Sequence, residues 1–179
     1  WERYRRNLGS AHTWINHYCP ALASTIRLEN SYYGVIGAEE RRRKIRGLIE
    51  GFNYQLINTR TWDKTNAWFK AELYSNLGRA HRLNDEPGKA EKLFLESIDM
   101  FPANVPAYWL LSQLQADYQR FDEAHATLKK ALEYVREKKQ AEFISRKLEK
   151  YAAESAKLQD SAAPGLAAEQ QLKGPGPRI

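Results

Sequence analysis

The side chains that most often perform catalysis or bind metals are few in this chain, and their spacing suits neither task. The sequence contains four histidines and one cysteine, Cys19. His12 and His17 lie five positions apart, whereas two metal ligands on one helix face lie three or four apart. His17 and Cys19 lie two positions apart, and such residues do not face each other on a helix. These residues indicate neither a metal site nor an activated thiol nucleophile.

The acidic pairs and the glycines also match no catalytic arrangement. Glu39–Glu40 and Asp85–Glu86 stand at the starts of predicted helices, where carboxylates interact favourably with the helix dipole. The glycines at positions 34, 37, 47 and 51 are scattered and form no phosphate-binding loop. We therefore predict a protein that is not an enzyme and that needs no metal or cofactor.

The elements that carry these side chains are predicted to be helices. Ala, Leu, Glu, Lys, Arg and Gln dominate, and valine occurs only at positions 35, 105 and 135. The 179 residues are 42% hydrophobic and 12% aromatic, which excludes a disordered chain and supports one folded domain. A single cysteine excludes an internal disulfide, and no apolar run is long enough to span a membrane. The predicted fold class is all-α.

Hydrophobic periodicity and turn residues predict the helix bounds. The predicted helices cover 21–36, 38–58, 64–83, 86–100 and 105–118, then a helix that follows a turn at 120–123 and continues to about 138, and a last one at 140–158. Pro20 is interpreted as preceding the first helix, and Asp63, Asp85 and Asn104 as N-caps of later ones. The second helix has an apolar stripe formed by Ile45, Leu48, Ile49, Phe52, Leu56 and Ile57. Most arginines of its first turns lie off that stripe and are expected to be solvated.

Two consecutive segments, 71–104 and 105–138, align with a period of 34 residues. The first places Tyr74, Leu77, Gly78, His81, Ala90, Phe94, Ser97 and Pro102 at successive pattern positions. The second places Tyr108, Leu111, Ser112, Gln115, Ala124, Leu128 and Ala131 at the same positions, with Arg136 instead of the proline. This spacing resembles the tetratricopeptide repeat family. The resemblance implies helical hairpins stacked in a right-handed solenoid, with extra N-terminal helices and a C-terminal capping helix at 140–158.

In the tetratricopeptide family, the first helix of each repeat lines a concave groove that binds peptides or partner helices. The resemblance implies a groove formed by Ser75, Arg79, Arg82, Trp109, Gln113, Phe143, Lys147 and Lys150. Such a groove is basic with two aromatic anchors, so its expected partner is an acidic segment that carries an apolar side chain. The alternatives are burial of Trp109 between repeats and simple solvation of the lysines. Only Asn76 matches the family's clamp for a terminal carboxylate, so that specificity is not expected.

The net charge of +6 is concentrated at one end of the chain. Residues 1–50 contain nine basic and five acidic residues. The predicted basic docking residues are Arg3, Arg5, Arg6, Arg41, Arg42, Arg43, Lys44 and Arg46. The N-terminal cluster, with Arg3, Arg5 and Arg6, is compatible with three roles: the flank of a membrane helix upstream of residue 1, an arm that binds RNA, or a contact with an acidic protein. The run Arg41–Lys44 resembles a nuclear signal, but four consecutive basic residues on a helix are usually solvated.

We predict four parts of the chain. These are a basic and aromatic arm at 1–20, a helical pair at 21–62, repeats with a capping helix at 63–158, and an extended Gly/Pro-rich tail at 159–179. The predicted function is a non-catalytic adaptor or accessory subunit that assembles a larger protein complex. The alternatives are an RNA-associated accessory protein, for example of an organellar ribosome, and a membrane-tethered domain of an envelope or respiratory complex. The expected compartment depends on which of these functions the protein has. It is membrane-associated if an upstream segment anchors it, and otherwise it lies in the cytoplasm or in an organellar matrix.

Overall fold

The structure is a computed structural model that describes residues 15–30, 36–59 and 66–172, with side chains described for 18–30, 36–59 and 66–161. These residues form seven α-helices and one short 3₁₀ helix, and no strand occurs among them. The helices are α1 Ile15–Glu29, α2 Ala38–Asn58, α3 Ala67–Leu83, α4 Pro87–Met100, α5 Val105–Asp117, α6 Phe121–Ala131 and α7 Lys138–Leu172, with the 3₁₀ helix at Leu132–Tyr134. The all-α prediction is confirmed. None of the described helices combines the length and hydrophobicity needed to span a membrane.

The first helix differs from the prediction at both ends. It begins at Ile15 and ends at Glu29, so Pro20 lies inside it rather than before it. A proline within a helix removes one backbone hydrogen bond. That loss is offset because α1 buries one face, with Tyr18 at 7%, Thr25 at 0% and Leu28 at 3% exposure. Tertiary packing therefore outweighs the local signal from proline.

The end of the chain also departs from the prediction. The helix predicted to follow the turn at 120–123 and continue to about 138 begins at Phe121, stops at Ala131 and is followed by a 3₁₀ turn. The last helix, α7, then continues past 158 to Leu172, so this part of the predicted tail is helical rather than extended. Residues 162–172 are rich in Ala, Leu, Glu and Gln, whose helix propensity is high, and the helix continues through Pro164 and Gly165. Residues 173–179 lie outside the described part.

Of the predicted N-caps, Asp85 is not at the cap position, whereas Asn104 is at the cap position of α5 but makes no capping bond. Asp85 follows α3 with a left-handed φ of 58°, and Glu86 is the residue that precedes α4. Asn104 does precede α5, but its side chain makes no capping bond and donates from Nδ2 to Ser97 Oγ at 2.8 Å. Asp63 lies outside the described residues.

The helices pack mainly against their neighbours in sequence. Contacts join each helix to the next, and further contacts join α1 to α3 and α3 to α5. Helices α1, α3 and α5 therefore share one side of the molecule, and the ring contact of Trp109 with Phe143 places α7 next to α5 on that side. On α2, Ile45, Leu48 and Phe52 are buried as predicted, whereas Ile57 is 57% exposed and Gln55 is buried in its place.

The turns that end α3 and α5 are equivalent at an offset of 34 residues. The Glu86 N–H donates to the His81 carbonyl at 3.0 Å, and the Arg120 N–H donates to the Gln115 carbonyl at 2.9 Å. The residues before these donors, Asp85 and Gln119, have φ values of 58° and 59°. Both turns form a Schellman motif with a left-handed residue after the helix. The sequence period is thus matched by a repeated backbone conformation.

The paired helices α3 and α4 approach closely at Gly78. A Cβ atom placed there would lie 2.6 Å from Cε1 and 2.8 Å from Cδ1 of Phe94, and 3.2 Å from the Ala90 carbonyl oxygen. At the equivalent positions of the second segment, Ser112, Leu128 and Ala124 are all fully buried. The second helix pair thus has a larger residue, Ser112, where the first has Gly78, and a smaller one, Leu128, where the first has Phe94.

Candidate functional site

Two adjoining cavities lie on the side of the molecule formed by the odd-numbered helices. The first encloses about 660 Å³ and lies between α1, α2, α3 and α5. The second encloses about 320 Å³ and lies between α3, α5 and α7. Arg82 and Gln113 line both cavities. We refer to the two cavities together as the groove.

Most of the predicted groove residues lie along this surface. Arg79 and Trp109 line the first cavity, and Lys147 and Lys150 line the second. Arg82 and Gln113, as stated above, line both, and Phe143 reaches the groove through its contact with Trp109. Ser75 does not belong to the groove because it is 1% exposed, and its hydroxyl donates to the Glu72 carbonyl at 2.9 Å.

The aromatic anchors form one platform with a lysine above it. The rings of Trp109 and Phe143 have centroids 4.9 Å apart at an angle of 54°. Lys147 Nζ lies 5.4 Å from the Trp109 centroid and 5.8 Å from the Phe143 centroid, within the range of a cation–π interaction. Phe143 is 41% exposed, and Trp109 is half-buried. Complete burial of Trp109 between helices is therefore not observed.

Arg79 is held in a polar network that connects α1 to α3. Its Nε donates to Glu29 Oε1 at 3.0 Å, a second guanidinium nitrogen contacts Glu29 Oε2, and Nη1 donates to Asn76 Oδ1 at 3.1 Å. Asn76 Nδ2 in turn donates to the Tyr18 hydroxyl oxygen at 3.0 Å. The Tyr18 hydroxyl donates to Glu72 Oε1 at 2.8 Å. Burial, followed by the nearby Glu72 carboxylate, raises the pKa of Tyr18 well above its usual value, so Tyr18 stays a neutral donor.

Arg82 has a more open pairing at the junction of the two cavities. Its Nη2 donates to Asp117 Oδ2 at 2.6 Å, and its Nη1 lies 3.4 Å from Gln113 Oε1. The Arg82 side chain is 29% exposed and the Asp117 side chain 53%. Arg82 is therefore accessible to solvent, and its carboxylate partner even more so.

The groove carries mixed charge rather than the uniformly basic character expected from the sequence. The cations that line it are Arg41, Arg79, Arg82, Lys147 and Lys150, and the carboxylates are Glu29, Asp85, Asp117 and Glu154. The repeat register predicted the cations Arg79, Arg82, Lys147 and Lys150. It did not predict Arg41 of α2 or any of the four carboxylates, which lie on α1, in the turn after α3, at the end of α5 and on α7.

Arg41 lies in the first cavity, although the sequence places it in the basic cluster of α2. It is half-buried, and it forms no ion pair with any of the described residues. The sequence offered no signal for this position, because α2 precedes the repeats and its orientation depends on how α1 and α3 pack.

The remaining basic docking residues of α2 are exposed, as predicted. Arg42 pairs with Glu39 at 3.1 Å and Lys44 with Glu40 at 3.4 Å. Arg43 and Arg46 are exposed on the same helix. Arg3, Arg5 and Arg6 lie outside the described residues.

The next feature is the set of His, Cys, Asp and Glu side chains among the described residues. Within these residues, no group of three or more His, Cys, Asp or Glu side chains is placed to hold a metal ion. His81 Nδ1 lies 2.7 Å from Glu86 Oε2 beside the α3–α4 turn, and Cys19 is exposed on α1. The groove is therefore suited to binding through ion pairs and ring contacts.

Comparison with known proteins gives this chain no family assignment. No protein-family model matches it. No curated protein sequence is significantly similar to it. The function proposed below rests on the geometry of the groove.

Proposed function

We propose that this chain is a non-catalytic adaptor or accessory subunit that binds an acidic segment of another protein in the groove. The observation that carries this proposal is the continuity of the two cavities, which places cations beside an aromatic platform along one face. Aromatic residues and arginine are the side chains that most often anchor protein interfaces.

We also propose that the helices form a tetratricopeptide-like solenoid in which α7 caps the last repeat. Three features support this arrangement: the equivalent turns after α3 and α5, the small residues where paired helices approach, and the contacts between successive odd-numbered helices. A groove on the side of the first helices of each repeat is the surface that such an arrangement offers to a ligand.

The charges of the groove define what a ligand must carry. Arg41 and Lys150 form no ion pair with the described residues, so each can accept a carboxylate without losing an existing partner. Trp109 and Phe143 offer an apolar contact that a ligand aromatic or aliphatic side chain can cover. The ligand is therefore an extended segment with several Asp or Glu residues and one large apolar residue.

Selection from a displayed library of short random peptides tests this function. We expect enrichment of peptides with several acidic residues and one aromatic residue. Selection on Trp109→Ala should keep the acidic enrichment and lose the aromatic one. Tyr118→Ala is the matched control, because Tyr118 is 52% exposed and lies outside the groove. Absence of enrichment, or enrichment of basic peptides, would contradict the proposal.

A further inference from the structure

We propose that Asp117 acts as an internal competitor of the ligand: it occupies Arg82 in the free protein, and a carboxylate of the acidic ligand replaces it. This inference rests on the proposed function. It adds a determinant of ligand specificity, because Arg82 exchanges its carboxylate partner whereas Arg79 keeps its own.

The Arg82–Asp117 pair has the features of an ion pair whose carboxylate can be replaced by another. It consists of one close contact, between Arg82 Nη2 and Asp117 Oδ2 at 2.6 Å, and more than half of the Asp117 side chain is exposed. Asp117 is also the last residue of α5. A carboxylate at this end of a helix is repelled by the helix dipole, and exposed ion pairs contribute little to stability. Replacement of Asp117 by another carboxylate therefore costs the fold little.

The Arg79–Glu29 pair, in contrast, has the features of an ion pair that is costly to break. The Glu29 carboxylate contacts two nitrogens of the guanidinium, and Asn76 binds a third. The side chains of Arg79 and Glu29 are only 16% and 24% exposed. Breaking this pair would leave a partly buried charge without its partner, which is costly. Glu29 thus forms a fixed acidic wall of the first cavity, and ligand carboxylates are directed away from it towards Arg82.

The position of Arg82 decides how the ligand lies. Arg82 and Gln113 are the residues shared by both cavities, so a ligand carboxylate on Arg82 sits at their junction. From there the ligand extends towards Arg41 in one cavity and towards Lys147 in the other. The partner is therefore the acidic peptide with one large apolar residue proposed above, with one of its carboxylates on Arg82 and others on either side of it.

The test measures the affinity of a fluorescein-labelled peptide composed of glutamates around a single tryptophan. We expect Asp117→Asn to bind it about two- to fivefold more tightly than the wild-type chain, the factor that corresponds to release of one exposed ion pair. Glu133→Gln removes the same charge from an exposed residue outside the groove and should leave the affinity unchanged. Circular dichroism of each variant verifies that it remains folded.

A double-mutant cycle separates partner exchange from a general change of charge. If Asp117 acts by occupying Arg82, the gain from Asp117→Asn disappears in an Arg82→Gln background. A gain that persists in this background, or a gain of equal size in Glu133→Gln, overturns the inference and leaves the proposed function intact. Failure of the wild-type chain and of every variant to bind the peptide overturns both.

Discussion

The contact between Gly78 and Phe94 makes a prediction about how closely the paired helices must approach. Replacement of Gly78 by alanine adds one methyl group at 2.6 Å from a ring carbon of Phe94. The ring cannot move away easily because Phe94 is fully buried in a cluster with Leu110, Leu111 and Leu114. Overpacking of this kind costs about 1–3 kcal/mol. Alanine has a higher helix propensity than glycine, and this difference offsets about 1 kcal/mol of that cost.

Two glycines of α2 provide the matched control. No described atom lies within 4 Å of a Cβ placed on Gly47 or Gly51. Gly47→Ala and Gly51→Ala should therefore stabilise the protein by about 0.5–1 kcal/mol each. The stability of Gly78→Ala should fall below theirs by about 1–3 kcal/mol, because the propensity gain is common to all three variants. For a chain of this size, that difference corresponds to a shift in Tm of roughly 2–4 °C for each kcal/mol.

The assay is urea denaturation followed by circular dichroism, supported by thermal melts. A second variant identifies the cause: Gly78→Ser combined with Phe94→Leu installs the residues found at positions 112 and 128. The double variant should lose less stability than the sum of the two single variants. The reasoning would be refuted if Gly78→Ala were as stable as Gly47→Ala, or if the two changes at positions 78 and 94 were simply additive.

Three further predictions concern polar groups near the helix ends. Gln119→Gly should raise stability by about 1 kcal/mol in a denaturant titration, because φ is 59° at this position and glycine adopts the left-handed region without strain. Ser97→Ala should lower it by about 1–3 kcal/mol in the same assay, because it leaves the buried Asn104 amide without the Ser97 Oγ acceptor. The hydrogen bonds from Lys89, Asn84 and His81 lower the pKa of Glu86 from 4.5 to about 2. A lowered carboxyl pKa stabilises the fold above pH 4.5, and this contribution disappears as the pH falls towards 2. The stability difference between wild type and Glu86→Gln, followed by thermal melts, should therefore be largest near neutral pH and vanish towards pH 2; a difference that does not change with pH would contradict this assignment.

The sequence predicted several helix limits closely from local residues. The bounds of α2 are those predicted, 38–58, where Gly37 precedes the helix. Proline in the first turn and an apolar stripe mark α4 and α5, and their bounds lie within one residue of the prediction. In α1 the same signal was misleading, because Pro20 is tolerated inside a helix whose Tyr18 face is buried. Local patterns cannot show this, since the face of α1 is stabilised by α2 and α3.

The candidate site likewise contains features that the sequence could predict and features that it could not. Positions one helical turn apart, such as Arg79 and Arg82, could be assigned to one face from the period alone. Ser75 belongs to the same register but is buried, with its hydroxyl bonded to the Glu72 carbonyl of its own helix. The ion pairs of Arg79 with Glu29 and of Arg82 with Asp117 join residues 50 and 35 positions apart. Pairings at such separations depend on the packing of whole helices and were not predictable from spacing.

Charge reversal within the groove is the measurement that tests the central claim most directly. Arg41→Glu with Lys147→Glu reverses one cation in each cavity. Lys129→Glu with Lys130→Glu makes the same change of net charge on exposed residues outside both cavities. We predict that the first pair weakens binding of the acidic, tryptophan-containing peptide by more than about tenfold, equivalent to about 1.4 kcal/mol, whereas the second leaves the Kd almost unchanged. Equal losses in the two pairs would show that the peptide responds only to total charge, and would contradict recognition in the groove.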